Sequence, residues 1–103
     1  MKYIAKLGNQ YIIEDFSDEV ELRLDHVQKL PCNSITKIGR DTVLIDTTLT
    51  YKIGQGVSIG GFETGGKYFR LLEVSITDYP VFPDAEIIGI AQEQQSKYEL
   101  LVI

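Results

Sequence analysis

The length, composition and charge of this chain limit the classes of protein to which it can belong. It has 103 residues, 44 % hydrophobic and 24 % charged, which is enough for one modest core and too hydrophobic for a disordered chain. Fifteen acidic against ten basic residues give a net charge of −5, which repels a phosphate backbone, so nucleic acid is not expected as the main partner. We expect a single β-barrel-like domain over residues 1–103.

Nothing in the sequence indicates export or membrane insertion. Residues 1–7 lack the apolar stretch of a signal peptide, and no run approaches the ~18 apolar residues of a membrane span. Cys32 is the single cysteine, so no intrachain disulfide can form. These features predict a cytoplasmic protein.

The first two runs of aromatic and β-branched residues are separated by a turn-forming tripeptide. Residues 2–7 and 11–16 flank Gly8-Asn9-Gln10, in which glycine and asparagine tolerate a positive φ. This arrangement predicts an opening β-hairpin.

Residues 17–30 fit two periodicities. Val20, Leu22 and Leu24 alternate as in a strand, whereas Val20, Leu24 and Val27 lie on one helical stripe, with Ser17 as a candidate N-cap. We predict a strand through Leu24, with one short helix near 17–30 as the alternative. Pro31 then ends this element.

From residue 35 onward the pattern is that of β-structure. Residues 35–38 and 42–51 surround a Gly39-Arg40-Asp41 turn and predict a second hairpin. Residues 57–59 and 67–76, joined by a glycine-bearing connection over 60–66, predict a third. The last two strands, 85–91 and 98–103, flank a polar stretch. About eight short antiparallel strands predict an all-β fold, a small barrel or sandwich.

Residues 78–84 form the strongest candidate for a protein-interaction site. Two prolines remove backbone donors and exclude a central strand, so we predict a stiff loop. Its aromatic rings either anchor a partner protein or fold back as a lid on the core. The candidate interaction residues are Tyr79, Pro80, Val81 and Phe82.

The chain ends on four apolar residues that form the second candidate interaction site. A last strand paired inside its own sheet is the default, and a strand that augments the sheet of a neighbouring subunit is the alternative. The residues concerned are Leu100, Leu101, Val102 and Ile103.

The residue types that carry catalysis or bind metal are sparse. His26 and Cys32 are single, which favours a solvated or packed imidazole and a passive thiol. Gly54-Gln55-Gly56 lacks a following helix and is interpreted as turn glycines, not as a phosphate loop. The densest acidic cluster does not match a calcium loop and is interpreted as a charged, soluble edge. It comprises Glu14, Asp15, Asp18, Glu19 and Glu21. We therefore predict no catalytic residues, no cofactor and no metal.

One segment resembles a known class of proteins. Gly56-Val57-Ser58-Ile59, a glycine-rich turn and the run from Lys67 to Val74 resemble the strand–hairpin–strand unit of small β-barrel virion proteins of tailed bacteriophages, of the joining, adaptor or decoration type. The resemblance implies a non-catalytic structural protein that contacts copies of itself or other virion proteins. It also implies an oligomer, located in the virion and, during assembly, in the host cytoplasm.

Three other classes remain open. A monomeric binding module or inhibitor would use the loop 78–84 and form a one-to-one complex. An enzyme would need two carboxylates converging in a pocket. A nucleic-acid-binding barrel would use Tyr68, Phe69 and Arg70 as a stacking platform, helped by Lys52 and Lys67, against the net negative charge.

Overall fold

The computed structural model describes residues 1–16, 19–94 and 97–102. All regular structure within these ranges is β, in ten strands, which confirms the all-β prediction. None of the described residues forms a helix, so none forms one long and apolar enough to cross a membrane. The strands are β1 Lys2–Lys6, β2 Ile12–Ile13, β3 Glu21–Leu24, β4 Gln28–Lys29, β5 Ser34–Lys37, β6 Thr42–Asp46, β7 Val57–Gly65, β8 Tyr68–Ile76, β9 Glu86–Gln94 and β10 Lys97–Val102.

The first sheet is antiparallel throughout, in the order β10-β9-β1-β6-β5. Its central strand is β1, in which Tyr3, Ile4 and Ala5 are all buried. Residues 38–41, which include the predicted Gly39-Arg40-Asp41 turn, join β5 to β6, and the pairing of Lys37 with Val43 closes this hairpin. The final strands also pair as a hairpin, with β10 at the edge of the sheet.

The second sheet is built around β8 and contains parallel pairs that the sequence did not predict. β7 pairs antiparallel with β8 along one side. Along the other side, β2 runs parallel to the start of β8 and β3 runs parallel to its end, with β4 outside β3. The strand ending at Leu24 is confirmed, and residues 19–30 contain no helix; residues 17 and 18 lie outside the described ranges.

The predicted opening hairpin is wrong, because β1 belongs to the first sheet and β2 to the second. Gly8, at φ 91°, turns the chain from one sheet to the other. The backbone donors that a hairpin would have used go elsewhere: Leu7 N–H donates to Asp41 O at 2.7 Å, and Ile13 N–H to Arg40 O at 2.8 Å. The chain therefore passes around the β5–β6 turn instead of pairing with itself.

The core lies between the two sheets, and a bulge in β8 affects which side chains of that strand enter it. Gly60 pairs with Glu73 but Gly61 pairs with Leu71, so Leu72 is an extra residue on β8. The bulge breaks the strict alternation of the strand, which lets both Leu71 and Val74 enter the core. The fully buried large side chains include Tyr3, Ile13, Leu22, Ile45, Leu71, Ile87, Val43, Val57 and Val74.

The third predicted hairpin is confirmed, but its glycine-bearing connection is strand. β7 continues through Gly65, and only Gly66, at φ 55°, and Lys67 form the turn. A side chain at Gly61 would overlap the carbonyl oxygen of Arg70. The glycines here permit close approach of the two strands as well as the final turn.

Candidate protein-interaction surface

The loop 78–84 lies outside the strands, as its prolines predicted, and divides its apolar residues between core and solvent. Phe82 packs on the core, with its ring centroid 6.0 Å from that of Tyr11. Gly8 lies under the Phe82 ring, where a Cβ would be 3.1 Å from it. Tyr79 and Val81 are 89 % and 72 % exposed. The loop is thus a lid at Phe82 and an open apolar surface at Tyr79 and Val81.

The C-terminal strand is paired inside its own sheet. β10 runs antiparallel to β9, with Leu100 opposite Ala91, Leu101 opposite Ile90 and Val102 opposite Gly89. Ile103 lies outside the described residues. The backbone of this segment therefore follows the default arrangement, at an edge of the first sheet.

Sequence reasoning missed a third apolar surface, on the β7–β8 hairpin. Phe62, Tyr68 and Leu72 are 53 %, 51 % and 52 % exposed. Phe62 pairs with Arg70, and residues 68, 70 and 72 alternate along β8, so the four side chains share one side of the hairpin. We call Phe62, Tyr68, Arg70 and Leu72 the hairpin face. The sequence signal that could have revealed this surface is the run Tyr-Phe-Arg-Leu-Leu, because a strand with this sequence carries large apolar side chains on both of its faces.

The only guanidinium of the hairpin face is held by a neighbouring carboxylate. Arg70 Nε lies 3.5 Å from Glu14 Oε1, and Thr64 Oγ1 donates to Glu14 Oε2 at 2.7 Å. Glu14 reaches this position because its N–H donates to Phe69 O at 3.0 Å, directly after β2. The hairpin face is therefore locally balanced in charge, although the whole chain is acidic.

Tyr11 braces the opposite side of the same hairpin. Its ring lies 4.9 Å from that of Phe69, and its hydroxyl donates to the Glu63 carboxylate. This hydrogen bond raises the pKa of Tyr11, because deprotonation would place a phenolate beside a carboxylate. Tyr11 thus connects the hairpin to the lid formed by Phe82.

A buried carboxylate fixes the β3–β4 turn to β8. Asp25 and His26 adopt φ 50° and 63° in this turn. His26 N–H donates to Ser75 Oγ at 2.8 Å, Ser75 Oγ donates to Glu73 Oε2 at 2.7 Å, and the His26 imidazole Nδ1 contacts Glu73 Oε1. Glu73 is only 5 % exposed. The Ser75 hydroxyl and the His26 imidazole both contact the Glu73 carboxylate. These contacts, with the hydrogen bond from His26 N–H to Ser75, anchor the β3–β4 turn to β8.

Cys32 lines a cleft of about 500 Å³ between the segments 19–22 and 29–35. Its Sγ donates weakly to Ser34 O at 3.3 Å and to Asp46 O at 3.4 Å. Burial raises the pKa of the Cys32 thiol, which keeps it protonated and poorly nucleophilic at neutral pH. These contacts fit the passive thiol that the sequence predicts.

The predicted acidic cluster is dispersed in the structure. Asp15, in the segment after β2, pairs with Lys37 of β5 at 2.9 Å, whereas Glu21 pairs with Arg23 of its own strand, β3, at 2.9 Å. Asp18 lies outside the described residues. Across the part of the chain that the structure describes, no three His, Cys, Asp or Glu side chains come together as metal ligands.

The stacking platform suggested for nucleic acid is divided by the alternation of β8. Phe69 is buried and faces Tyr11, whereas Tyr68 and Arg70 lie on the hairpin face.

Comparison with known proteins gives no match among family models, curated proteins or solved structures. The exposed apolar surfaces of this chain are the features that bear on its function.

Proposed function

We propose that this chain is a non-catalytic assembly protein that acts through contacts with other protein subunits. The observation that carries the proposal is the hairpin face, where Phe62, Tyr68 and Leu72 leave about half of their surface in water. Aromatic side chains and arginine are enriched at protein–protein interfaces, and clustered exposed apolar residues mark such sites.

The hairpin is suited to binding because its backbone is already ordered. β7 and β8 pair along their whole length, and Tyr11 braces the hairpin through both Phe69 and Glu63. A partner that covers the hairpin face therefore gains apolar burial without first ordering a loop. The Arg70–Glu14 pair can stay paired at the rim of such a contact.

The kind of assembly that we propose is a bacteriophage virion, in which the chain serves as a head–tail joining, adaptor or decoration protein. The support is the resemblance of residues 56–74 to small barrels of that class, together with the location of this segment in the β7–β8 hairpin. Its partners would be copies of itself or other virion proteins, in the virion and in the host cytoplasm during assembly. Symmetry would multiply each weak contact around a ring or shell.

The solution mass of the purified chain tests this proposal. For the intact chain, light scattering should show an average mass that rises with concentration until it reaches that of a defined oligomer. A chain truncated before Leu100 loses half of β10 and tests whether the terminal strand is the contact. If the truncated chain is a folded monomer while the intact chain is an oligomer, the terminal strand is the interface. An intact chain that stays monomeric at every concentration would contradict self-assembly.

The second candidate function is a monomeric binding module or inhibitor. It is favoured by Tyr79 and Val81, which protrude from a loop that Phe82 and Pro80 hold in place. Such a module would form a one-to-one complex that Tyr79→Ala weakens, whereas Phe62→Ala would leave the affinity unchanged. Equal loss of affinity with both variants would contradict this alternative.

A further inference from the structure

We propose that two copies of this chain pair edge to edge through β7, antiparallel, so that the two hairpins form one continuous four-stranded layer. This inference rests on the proposed assembly function and names its contact. It concerns a strand whose backbone, beyond Val57, pairs only with β8 among the described residues.

The backbone groups that β7 turns away from β8 can be assigned from its neighbours. Val57 N–H donates to Ala85 O at 3.1 Å and so points away from β8. Because strand residues alternate, Ile59, Gly61 and Glu63 turn their N–H and C=O groups the same way. Phe69, opposite Glu63, confirms the pattern by turning its carbonyl to the Glu14 N–H on the far side of β8.

The free edge of β7 is longer than the other sheet edges, and Glu63 is its one charged side chain. It has nine residues, against two, four and six in β4, β5 and β10, and it contains no lysine, arginine or proline. β4, β5 and β10 each carry a lysine. The extra residue of the first bulge is Leu72 on β8, so β7 runs without an inserted residue from Val57 to Glu63, and its own inserted residue is Thr64, directly after that stretch.

A second copy fits this edge because the strand is complementary to itself. With the two-fold axis beside Phe62, the two Phe62 residues face each other as an aromatic cross-strand pair. Gly61 of each copy then lies opposite Glu63 of the other, and both have outward-facing backbone groups. An axis beside Glu63 would instead oppose two carboxylates.

Charge and apolar area favour the same occupant. Because Arg70 is paired with Glu14, the hairpin face adds no net charge of its own to the contact between two copies. Edge pairing also brings the two hairpin faces side by side, which extends the apolar strip of Phe62, Tyr68 and Leu72 across the dimer.

The test compares Phe62→Lys with Tyr79→Lys by sedimentation velocity across the micromolar to millimolar range. Both residues are exposed, so both variants are expected to fold, and a circular dichroism spectrum checks this. Phe62→Lys should raise the dimer dissociation constant at least about tenfold, and Tyr79→Lys should leave it within about twofold. Equal effects of the two variants would overturn β7 pairing while leaving assembly through another surface intact.

Amide hydrogen exchange on the intact chain provides a readout that needs no substitution. The amides of Gly61 and Glu63, which lie opposite each other across the two-fold axis, should be protected in the dimer and should exchange rapidly on dilution to monomer. If these two amides exchange rapidly in a sample that is fully dimeric, the strand pairing is wrong. A chain that stays monomeric at millimolar concentration would overturn this inference together with self-assembly.

Discussion

The loop 78–84 and the β7–β8 hairpin both expose aromatic side chains, but they do so on different kinds of backbone. In the loop, Tyr79 and Val81 stand on an irregular segment fastened by Phe82. In the hairpin, Phe62 stands on a regular strand with a free edge. Exposed rings on an irregular loop lack a regular row of backbone donors and acceptors beside them, whereas rings on an edge strand are accompanied by such a row. Exposed aromatic rings therefore imply different modes of recognition in the two regions.

The largest expected effect separates the two sides of the hairpin. Leu71 is buried and Leu72 is half exposed, although they are neighbours in β8. Leu71→Ala should lower the free energy of unfolding by about 3 kcal/mol, because it removes core contacts and leaves a cavity. Leu72→Ala should change it by no more than about 0.5 kcal/mol. Urea denaturation of both variants measures the difference, and equal losses would contradict the assigned bulge.

The loop should show the same division at a smaller scale. Phe82→Ala should cost about 2 kcal/mol, less than a fully buried phenylalanine, since its ring is only partly buried against Tyr11 and Gly8. Tyr79→Ala is the matched control and should be close to neutral. If Tyr79→Ala destabilises the chain as much as Phe82→Ala, the loop is a lid along its whole length.

Gly60 should be sensitive to a small side chain, although less so than Gly61, where a Cβ would overlap the backbone carbonyl of Arg70. A Cβ at Gly60 would overlap the carboxylate of Glu73, which is held by Ser75 and His26. Gly60→Ala should therefore cost about 1 kcal/mol by displacing a buried, hydrogen-bonded group. Gly39→Ala, where the nearest atom is 3.4 Å away, is the control. Thermal unfolding of the two variants checks the ranking.

The smallest effect concerns Tyr11, which touches both regions. Its pKa is raised by the hydrogen bond to Glu63, so the folded state favours the neutral phenol. The stabilisation is complete below the unfolded pKa, about 10, and is lost as the pH rises through the higher folded value. Glu63→Gln should move the Tyr11 titration towards its ordinary value, as followed by NMR of the ring carbon that bears the hydroxyl. An unchanged titration would show that Glu63 is not the cause.

Local patterns predicted those parts of the fold that depend on neighbours in sequence. The Gly39-Arg40-Asp41 turn, the alternation from Val20 to Leu24 and the prolines of the loop 78–84 were each assigned correctly. These features follow from turn chemistry, side-chain period and missing donors, which act within a few residues.

The parts that failed depend on partners far away in the chain. Gly8 permits a hairpin and equally permits the crossover that the structure adopts, and only Asp41 and Arg40 decide between them. The parallel pairing of β2 and β3 with β8 has no local signal. The hairpin face was missed because residues 60–66 are glycine-rich, and glycine indicates a turn more often than a strand that approaches its partner closely.

The bulge at Leu72 marks the position at which β8 can change length. Side chains of a strand point alternately to its two faces, so the loss of one residue normally moves every later side chain to the opposite face. Deletion of Leu72 would instead give a regular ladder, with Leu71 and Val74 still directed to the core and Glu73 still beside Gly60. A chain without Leu72 should therefore still unfold cooperatively, whereas a chain without Val74 should not. An insertion or deletion in a relative of this protein is expected first at that position.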